Sequence, residues 1–158
     1  MTPQDFNVTF SEIIEHEFFY MELPEHLKEG FAAQNISINL NFNFGWNVGD
    51  SLFGVKSSVI YSHPNEQGWF QMLCYESSTI FKVDNLMEYM TIMGDKSFDM
   101  QPDLLHHIMQ LTTSTARGII ANKLGGTPIS KVYLPVITSI EFLSKTAPEP
   151  VETEEEAQ

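Results

Sequence analysis

The stretch that most constrains the fold of this chain runs from Asn35 to Trp46. Its apolar side chains alternate without a break with Ser, Asn and Gly, in the order Ile36, Ile38, Leu40, Phe42, Phe44 and Trp46. A period of two places all six on one face of a β-strand. The Ser and Asn face can remain in water, which is typical of a strand in an antiparallel sheet. We therefore expect other elements of the chain to cover the apolar face.

Three further segments predict strands around this one. An alternating segment from Phe6 to Met21 indicates a long first strand with a bulge near Ile13 and Ile14, and the segment that joins it to Asn35 reads as a crossover loop. After the central strand, a turn at Gly49 leads into a strand through Tyr61, and a second turn, over residues 63–68, leads into a strand that ends near Val83. Cys74 falls in this last strand, where a buried thiol is expected. The sequence predicts an α+β fold with a four-stranded antiparallel sheet and a crossover after strand 1.

The period changes after Asp84. Leu86, Met87, Met90 and Met93 have the spacing of a short helix. A longer helix is predicted from Pro102, which suits a first helical turn, to about Leu124, where two glycines and Pro128 follow. Apolar residues between 137 and 143 suggest a short last helix or strand.

The middle of the long helix is rich in small side chains, from Thr112 to Gly118. Small side chains allow another backbone to approach closely, so this face either packs on the chain's own sheet or is shared between subunits. The candidate oligomer-interface residues are Thr112, Thr115, Ala116 and Ile119.

Charge limits the partners of the chain. Twenty-one acidic against eight basic side chains give a formal net charge of −13. Such a charge would repel phosphate backbones and anionic lipids, so we expect neither nucleic acid nor direct membrane insertion. No segment reads as a secretory leader or membrane span, and a cytoplasmic location is expected. The domain should occupy residues 1–146, followed by a disordered acidic tail over residues 147–158.

The sequence shows no pattern that predicts catalysis or metal binding. His106 and His107 are adjacent on a helix and point about 100 degrees apart, so they cannot share a metal as an i, i+4 pair does. The glycines at 125 and 126 follow a helix, whereas a phosphate-binding loop precedes one. We expect no catalytic residues, no metal, no cofactor and no enzymatic activity, although carboxylates from distant segments could still converge.

The order of the predicted elements, together with scattered residues, resembles the SecB export chaperone family. The similar segments are Met21-Glu22-Leu23-Pro24 at the end of the first strand, Ile80-Phe81 in the fourth strand, Ala116-Arg117, Gly125, Pro128 and Leu134-Pro135-Val136. The resemblance spans about residues 6–143, and an acidic tail follows in both. It implies a SecB-like fold with the long helix and a short C-terminal helix packed on one face of the sheet.

The resemblance also implies a function, namely ATP-independent binding of unfolded or extended polypeptides in apolar grooves, with a role in protein export. It implies a homotetramer built as a dimer of dimers. The implied groove residues are Leu23, Leu27, Phe31, Phe42, Phe44, Tyr133 and Leu134. Residues implied to dock a partner, such as the SecA motor ATPase, are Glu22, Glu152, Glu154, Glu155 and Glu156.

Other functions remain open. The family's acidic Leu-x-Glu on the last strand is replaced here by Met72-Leu73-Cys74, which allows a relative that serves another client, such as an antitoxin. A small-ligand binding protein or an enzyme that uses the cleft between sheet and helix is a further alternative. A structural subunit of a larger assembly would also suit the small-residue helix.

Overall fold

A computed structural model describes residues 5–135. The predicted last helix, the tail boundary at 147 and the four tail glutamates implied to dock a partner lie outside these residues. Along the chain, the strands are β1 (Val8–Tyr20), β2 (Ser37–Asn47), β3 (Leu52–Asn65), β4 (Gly68–Val83), β5 (Met90–Ile92) and β6 (Phe98–Met100), and the helices are α1 (Glu25–Lys28), α2 (Leu86–Tyr89) and α3 (Pro102–Lys123). A single 3-10 turn, Ala33–Asn35, precedes β2.

The main sheet confirms the predicted fold class. Its strand order is β1-β4-β3-β2, and every neighbouring pair is antiparallel. The strands β2, β3 and β4 form a meander, and the segment between β1 and β2 crosses from one edge of the sheet to the other. We call this segment, residues 21–36, the crossover.

The alternation of β2 matches the two faces of the sheet. Leu40 and Phe42 are buried in the core, while Ile38, Phe44 and Trp46 are partly buried against it. The asparagines at 39, 41 and 43 are exposed on the opposite face. The face that carries Leu40 and Phe42 is called the inner face below.

The first strand contains two irregularities instead of the single predicted bulge. Its register with β4 shifts between Phe10 and Glu12 and again between Glu15 and Glu17. Each shift restores the alternation, so Phe10, Ile13 and Phe18 all pair with inner-face residues of β4. A local apolar pattern indicates that the apolar side chains switch from even to odd positions. It does not indicate how many bulges produce the switch.

The turn between β3 and β4 is tighter than predicted. The strand β3 continues through Pro64 to Asn65, which pairs with Gly68. The Asn65 Oδ1 atom accepts a hydrogen bond of 2.9 Å from the Gln67 N–H. Gly68 adopts a φ of +126°, a conformation that other residues rarely adopt.

The segment after β4 differs from the predicted short helix. Only one turn forms, α2, and Met90 then begins a hairpin in which β5 pairs with β6. The ring of Phe98 in β6 contacts Phe44, Trp46 and Phe53, with centroid separations of 5.3 to 5.4 Å. The apolar spacing suited either a helix or a hairpin, and these aromatic contacts are available only to the hairpin. The hairpin covers the end of β2.

The helix α3 confirms the predicted long helix and packs on the inner face. Leu104, Ile108 and Ile120 are almost completely buried, and Pro102 and Lys123 mark its two ends. Buried Thr112 and Thr113 donate hydrogen bonds to the carbonyls of the preceding turn, at 2.9 and 2.8 Å. These bonds satisfy the two hydroxyls without a second chain.

The connector after α3, residues 124–135, returns along the helix. The Tyr61 hydroxyl donates a hydrogen bond of 3.1 Å to the Val132 carbonyl. The Arg117 guanidinium donates to the Leu134 carbonyl at 2.8 Å and to the Pro135 carbonyl at 2.9 Å. These bonds hold the connector on the β3 side of the helix, with Leu134 buried.

Candidate functional site

A groove of about 460 Å³ opens at the end of the sheet where β1 ends and β4 begins. The end of β1, the crossover, the start of β4 and the turn after α3 each contribute to it. Its lining residues are Tyr20, Glu22, Leu23, Lys28, Phe31, Met72, Gly126 and Pro128. We call it the crossover groove.

The crossover fixes one wall of this groove. The Met21 N–H donates a hydrogen bond of 2.8 Å to the Met72 carbonyl, which extends the pairing of β1 with β4 by one residue. Pro24 then precedes α1, where its fixed φ suits the start of a helix. Leu23 is buried, and Leu27 and Phe31 pack against the core. The amphipathic spacing of these three residues therefore holds the crossover on the sheet.

The opposite wall comes from the end of α3. Gly126 has a φ of +83°, the left-handed conformation that commonly ends a helix. The turn that it makes brings Pro128 to the groove. The Thr127 hydroxyl donates to the Leu124 carbonyl at 2.8 Å and closes the turn.

The groove is apolar at its base and polar along its rim. Leu23, Phe31 and Met72 supply the apolar surface, and Glu22 and Lys28 supply opposite charges at the edge. Lys28 is already bound to Glu25, with 2.8 Å between its Nζ and the carboxylate oxygen. Such a surface takes up an apolar side chain and leaves the flanking backbone in water.

Tyr20 and Lys28 both line the groove and both have raised pKa values. The hydrogen bond from Lys28 to Glu25 raises the pKa of the Lys28 ammonium. Burial raises the pKa of the Tyr20 hydroxyl, and the nearby Thr127 hydroxyl partly offsets that shift. Tyr20 therefore remains neutral at physiological pH. Its hydroxyl is buried beside the groove and has no hydrogen-bond partner among the described residues.

The structure brings together three of the residues that the resemblance implies, since Leu23, Phe31 and Glu22 all line the groove. Leu27 lies beside them on α1 and is half-buried. The remaining positions lie elsewhere. Phe42 and Leu134 are buried in the core, Phe44 packs under Phe98, and Tyr133 is exposed on the connector.

Sequence reasoning missed several lining residues. In the sequence, Gly126 and Pro128 indicate the end of the helix, and Pro128 also belongs to the resemblance, but neither feature predicts that the turn closes a groove. Met72 lies at a register shift between β3 and β4, where Tyr61 pairs with Leu73 and Ser62 pairs with Gln71. No periodicity predicts which side chain such a bulge redirects.

The candidate interface residues of α3 separate into two pairs. Thr112 and Ala116 are buried within the single chain, whereas Thr115 and Ile119 are partly exposed. On β1, the inner-face side chains Phe10 and Ile13 are also exposed. Several exposed apolar side chains of the inner face therefore lie on β1.

A second depression, of about 450 Å³, lies around the paired residues Gly45 and Gly54. Ile14, Ile80 and Leu52 are among the residues that line it. Two neighbouring glycines leave a shallow space because neither carries a side chain. The lining is mostly apolar, with the charged Lys56 and the implied groove residue Phe44 among its members.

Cys74 is half-buried, which is less than predicted. It pairs with Phe19 of β1 and Ile60 of β3. Burial raises the pKa of its thiol, and the carboxylates of Glu17 and Glu76 raise it further. The thiolate that reacts as a nucleophile is therefore disfavoured.

Within residues 5–135, no group of three or more His, Cys, Asp or Glu side chains is arranged to hold a metal ion. In the same part of the chain, no helix combines the length and apolar character that a membrane span requires.

Comparisons with known proteins find distant structural likeness only. No family model and no curated protein match the chain. Among solved structures, a SecB-like chaperone from Mycobacterium tuberculosis, in complex with a peptide from an antitoxin, is 13% identical with a TM-score of 0.48, over 82% of this chain and 90% of that one. A protein of unknown function from Streptococcus agalactiae is 8% identical with a TM-score of 0.35, over 85% of this chain and 98% of that one. Identities and TM-scores this low establish neither a common family nor a common activity.

Proposed function

We propose that this protein is a SecB-like, ATP-independent chaperone that binds unfolded or extended polypeptides in the crossover groove. The observation that carries the proposal is the open apolar groove between the crossover and the turn after α3. The sheet order, with a crossover after strand 1 and a long helix on the inner face, is the one implied by the sequence resemblance. Three groove residues, Glu22, Leu23 and Phe31, coincide with positions that the resemblance implies.

The size of the groove favours weak contacts that tolerate many client sequences. Burying one aromatic side chain removes about 150 Å² from water. At about 25 cal/mol per Å² this contributes roughly 4 kcal/mol, which corresponds to a Kd of about 1 mM before the costs of ordering the client. Tight binding therefore requires several grooves that act on one long chain, as an unfolded polypeptide allows.

Suppression of aggregation tests this function. We expect the protein to prevent aggregation of a reduced, unfolded test protein at near-stoichiometric ratio and without ATP. Pro128→Glu places a carboxylate at the groove and should raise the amount of protein needed severalfold, because an apolar client would desolvate that charge. Absence of both suppression and binding to any unfolded peptide would contradict the proposal.

Met87→Glu is the matched control for this experiment. Met87 is an exposed apolar residue on α2 and does not line the groove. The control should suppress aggregation as the wild type does. The unfolding temperatures of both variants show whether the fold has survived.

The protein is proposed to act as a homo-oligomer, with a tetramer formed as a dimer of dimers. Exposed Phe10, Ile13 and Phe18 on β1 support this, together with Thr115 and Ile119 on α3. Contiguous exposed apolar side chains are typical of interaction surfaces. In sedimentation analysis, a monomer at micromolar concentration would contradict the assembly, and Ile13→Glu should shift an oligomer toward smaller species.

Two roles are proposed, and they differ in client and partner. A cytoplasmic role in export would use Glu22 and the tail glutamates to dock a basic surface of the SecA motor ATPase. A role as an antitoxin chaperone would use the same groove without the motor. Binding of purified SecA to the full chain, with Glu22→Gln and a tail-truncated variant as comparisons, distinguishes the two roles.

A small-ligand site is the second candidate for the same groove. A volume near 460 Å³ falls within the range of small-molecule pockets, and Glu22 and Lys28 would supply polar contacts. Mass spectrometry of the purified protein under native and denaturing conditions tests this candidate. A stoichiometric small molecule released on denaturation favours it, whereas a ligand-free protein that binds peptides favours the chaperone.

A further inference from the structure

Beyond Met21, the crossover is held on the sheet by side chains rather than by backbone pairing. Between residues 22 and 36, the backbone hydrogen bonds found among the described residues are local turns, such as Leu27 N–H to the Pro24 carbonyl and Phe31 N–H to the Lys28 carbonyl. The helix α1 is a single turn without a side-chain cap. A segment anchored in this way can move when one or two side-chain contacts are exchanged.

One of these contacts is a stacked pair. The ring of Phe31 lies over the imidazole of His63, with 5.5 Å between the centroids and 25° between the planes. His63 is on β3 and is only 4% exposed. Phe31 also lines the crossover groove, so the stacked pair lies at the edge of the candidate site.

The hydrogen bonding of His63 is incomplete. Its Nδ1 atom is 2.9 Å from the Pro64 carbonyl, which can only accept, so Nδ1 carries the proton. In the neutral ring Nε2 is then an acceptor, and this buried atom has no hydrogen-bond partner among the described residues. A buried acceptor without a donor costs free energy, which a ligand that supplies a donor would recover.

We propose that Phe31 occupies an aromatic subsite on His63 and that an aromatic side chain of a bound polypeptide displaces it. This inference rests on the proposed function and names the client feature that the site selects. The incoming ring replaces one stacked ring by another, and an N–H of the client donates to Nε2 of His63. Phe31 and the crossover then move off the sheet and lengthen the groove.

If Phe31 occupies the subsite, truncation of Phe31 changes the client affinity in the direction opposite to that expected for a wall residue. A residue that only forms the wall of the groove weakens client binding when it is truncated. A residue that occupies the subsite competes with the client. Its truncation strengthens binding because it removes the molecules in which the subsite is already filled.

Fluorescence anisotropy with two labelled peptides tests this difference in the full chain. Both are unstructured peptides of Gly, Ser and Asn, one with three widely spaced Phe residues and the other with Leu at the same positions. Phe31→Ala should bind the Phe peptide about fivefold to tenfold more tightly, with less than about a twofold change for the Leu peptide. His63→Leu, which removes the stacking partner and the acceptor, should lose the preference for Phe over Leu.

Phe6→Ala is the matched control because Phe6 is also half-buried and makes one edge-on ring contact, with Tyr89 at 5.2 Å. Its affinities should equal those of the wild type. An equal gain in Phe6→Ala, or weaker or unchanged binding in Phe31→Ala, would overturn the inference while leaving the proposed function intact. Failure of all proteins to bind either peptide would remove the proposed function as well.

A measurement on the wild type covers the case in which Phe31→Ala does not fold. The His63 ring resonance, assigned by its loss in His63→Leu, should shift when the Phe peptide is added and shift less with the Leu peptide. A bound Phe peptide that leaves this resonance unmoved would contradict the displacement of Phe31.

Discussion

The two edge strands β1 and β2 carry similar apolar alternation but differ in what covers them. In β2, Phe42 is 6% exposed, and the hairpin places Phe98 over Phe44 and Trp46. In β1, Phe10 is 50% exposed although it pairs with fully buried Phe81. Alternation therefore specifies which face of a strand is apolar, whereas distant elements decide whether that face is buried. Exposed apolar faces of this kind are typical of interaction surfaces.

The largest expected difference between the two strands is in stability. Phe42→Ala should lower the free energy of unfolding by about 3 to 5 kcal/mol, because it leaves a cavity in the packed core. Phe10→Ala should cost less than about 1 kcal/mol in the monomer, since half of its side chain is already in water. Urea unfolding at a protein concentration that favours monomers measures both. Equal losses in the free energy of unfolding would show that the apolar face of β1 is covered to the same extent as that of β2.

Removal of the cover from β2 should have the next largest effect. Phe98→Ala deletes ring contacts to Phe44, Trp46 and Phe53, and we expect a loss of about 2 kcal/mol. It should also increase the binding of an apolar dye, because the end of β2 then resembles β1. Unchanged dye binding would indicate that the hairpin does not shield this end.

A pH-dependent effect is expected at Tyr61, which pairs with Ile38 of β2. Burial raises the pKa of its hydroxyl to about 12, above the value of about 10 for an unfolded chain. The folded state therefore favours the neutral form, and this stabilisation is complete below about pH 10 and is lost as the pH rises toward 12.

Tyr61→Phe separates this contribution from that of other tyrosines. The variant lacks the hydrogen bond to the Val132 carbonyl and should be less stable by about 1 kcal/mol near neutral pH. Between pH 10 and 12, the wild type should lose more stability than the variant in urea unfolding. Parallel pH profiles of the two proteins would contradict the assignment.

The smallest effect is expected where α3 contacts β1. Lys123 Nζ lies 3.3 Å from the Glu15 carboxylate and 4.9 Å from the centre of the Phe18 ring. Both contacts are partly exposed, so Lys123→Met should change the free energy of unfolding by less than about 1 kcal/mol, with the remaining difference reduced by salt. A larger loss would show that α3 covers β1 more firmly than these contacts indicate.

Much of the fold could be predicted because it follows from local patterns. Alternation located β1 to β4, and Pro102 with the glycines after Lys123 located the ends of α3. The hairpin at Met90 could not be predicted, since the same spacing suits a helix and the aromatic contacts of Phe98 decide between them. The same is true of part of the groove, which the sequence alone does not predict. Leu23 and Phe31 are visible in the crossover, but Met72 and Pro128 reach the groove through a register shift and a turn that depend on the assembled sheet.

Hydrogen–deuterium exchange with and without an unfolded client tests the central claim most directly. With saturating Phe peptide, we expect changes in exchange over residues 20–36, at the start of β4 around Met72 and in the turn around Pro128, with little change at Gly45 and Gly54 in the second depression. Bound peptide that alters exchange at the second depression and leaves the crossover unchanged would contradict the crossover groove as the client site.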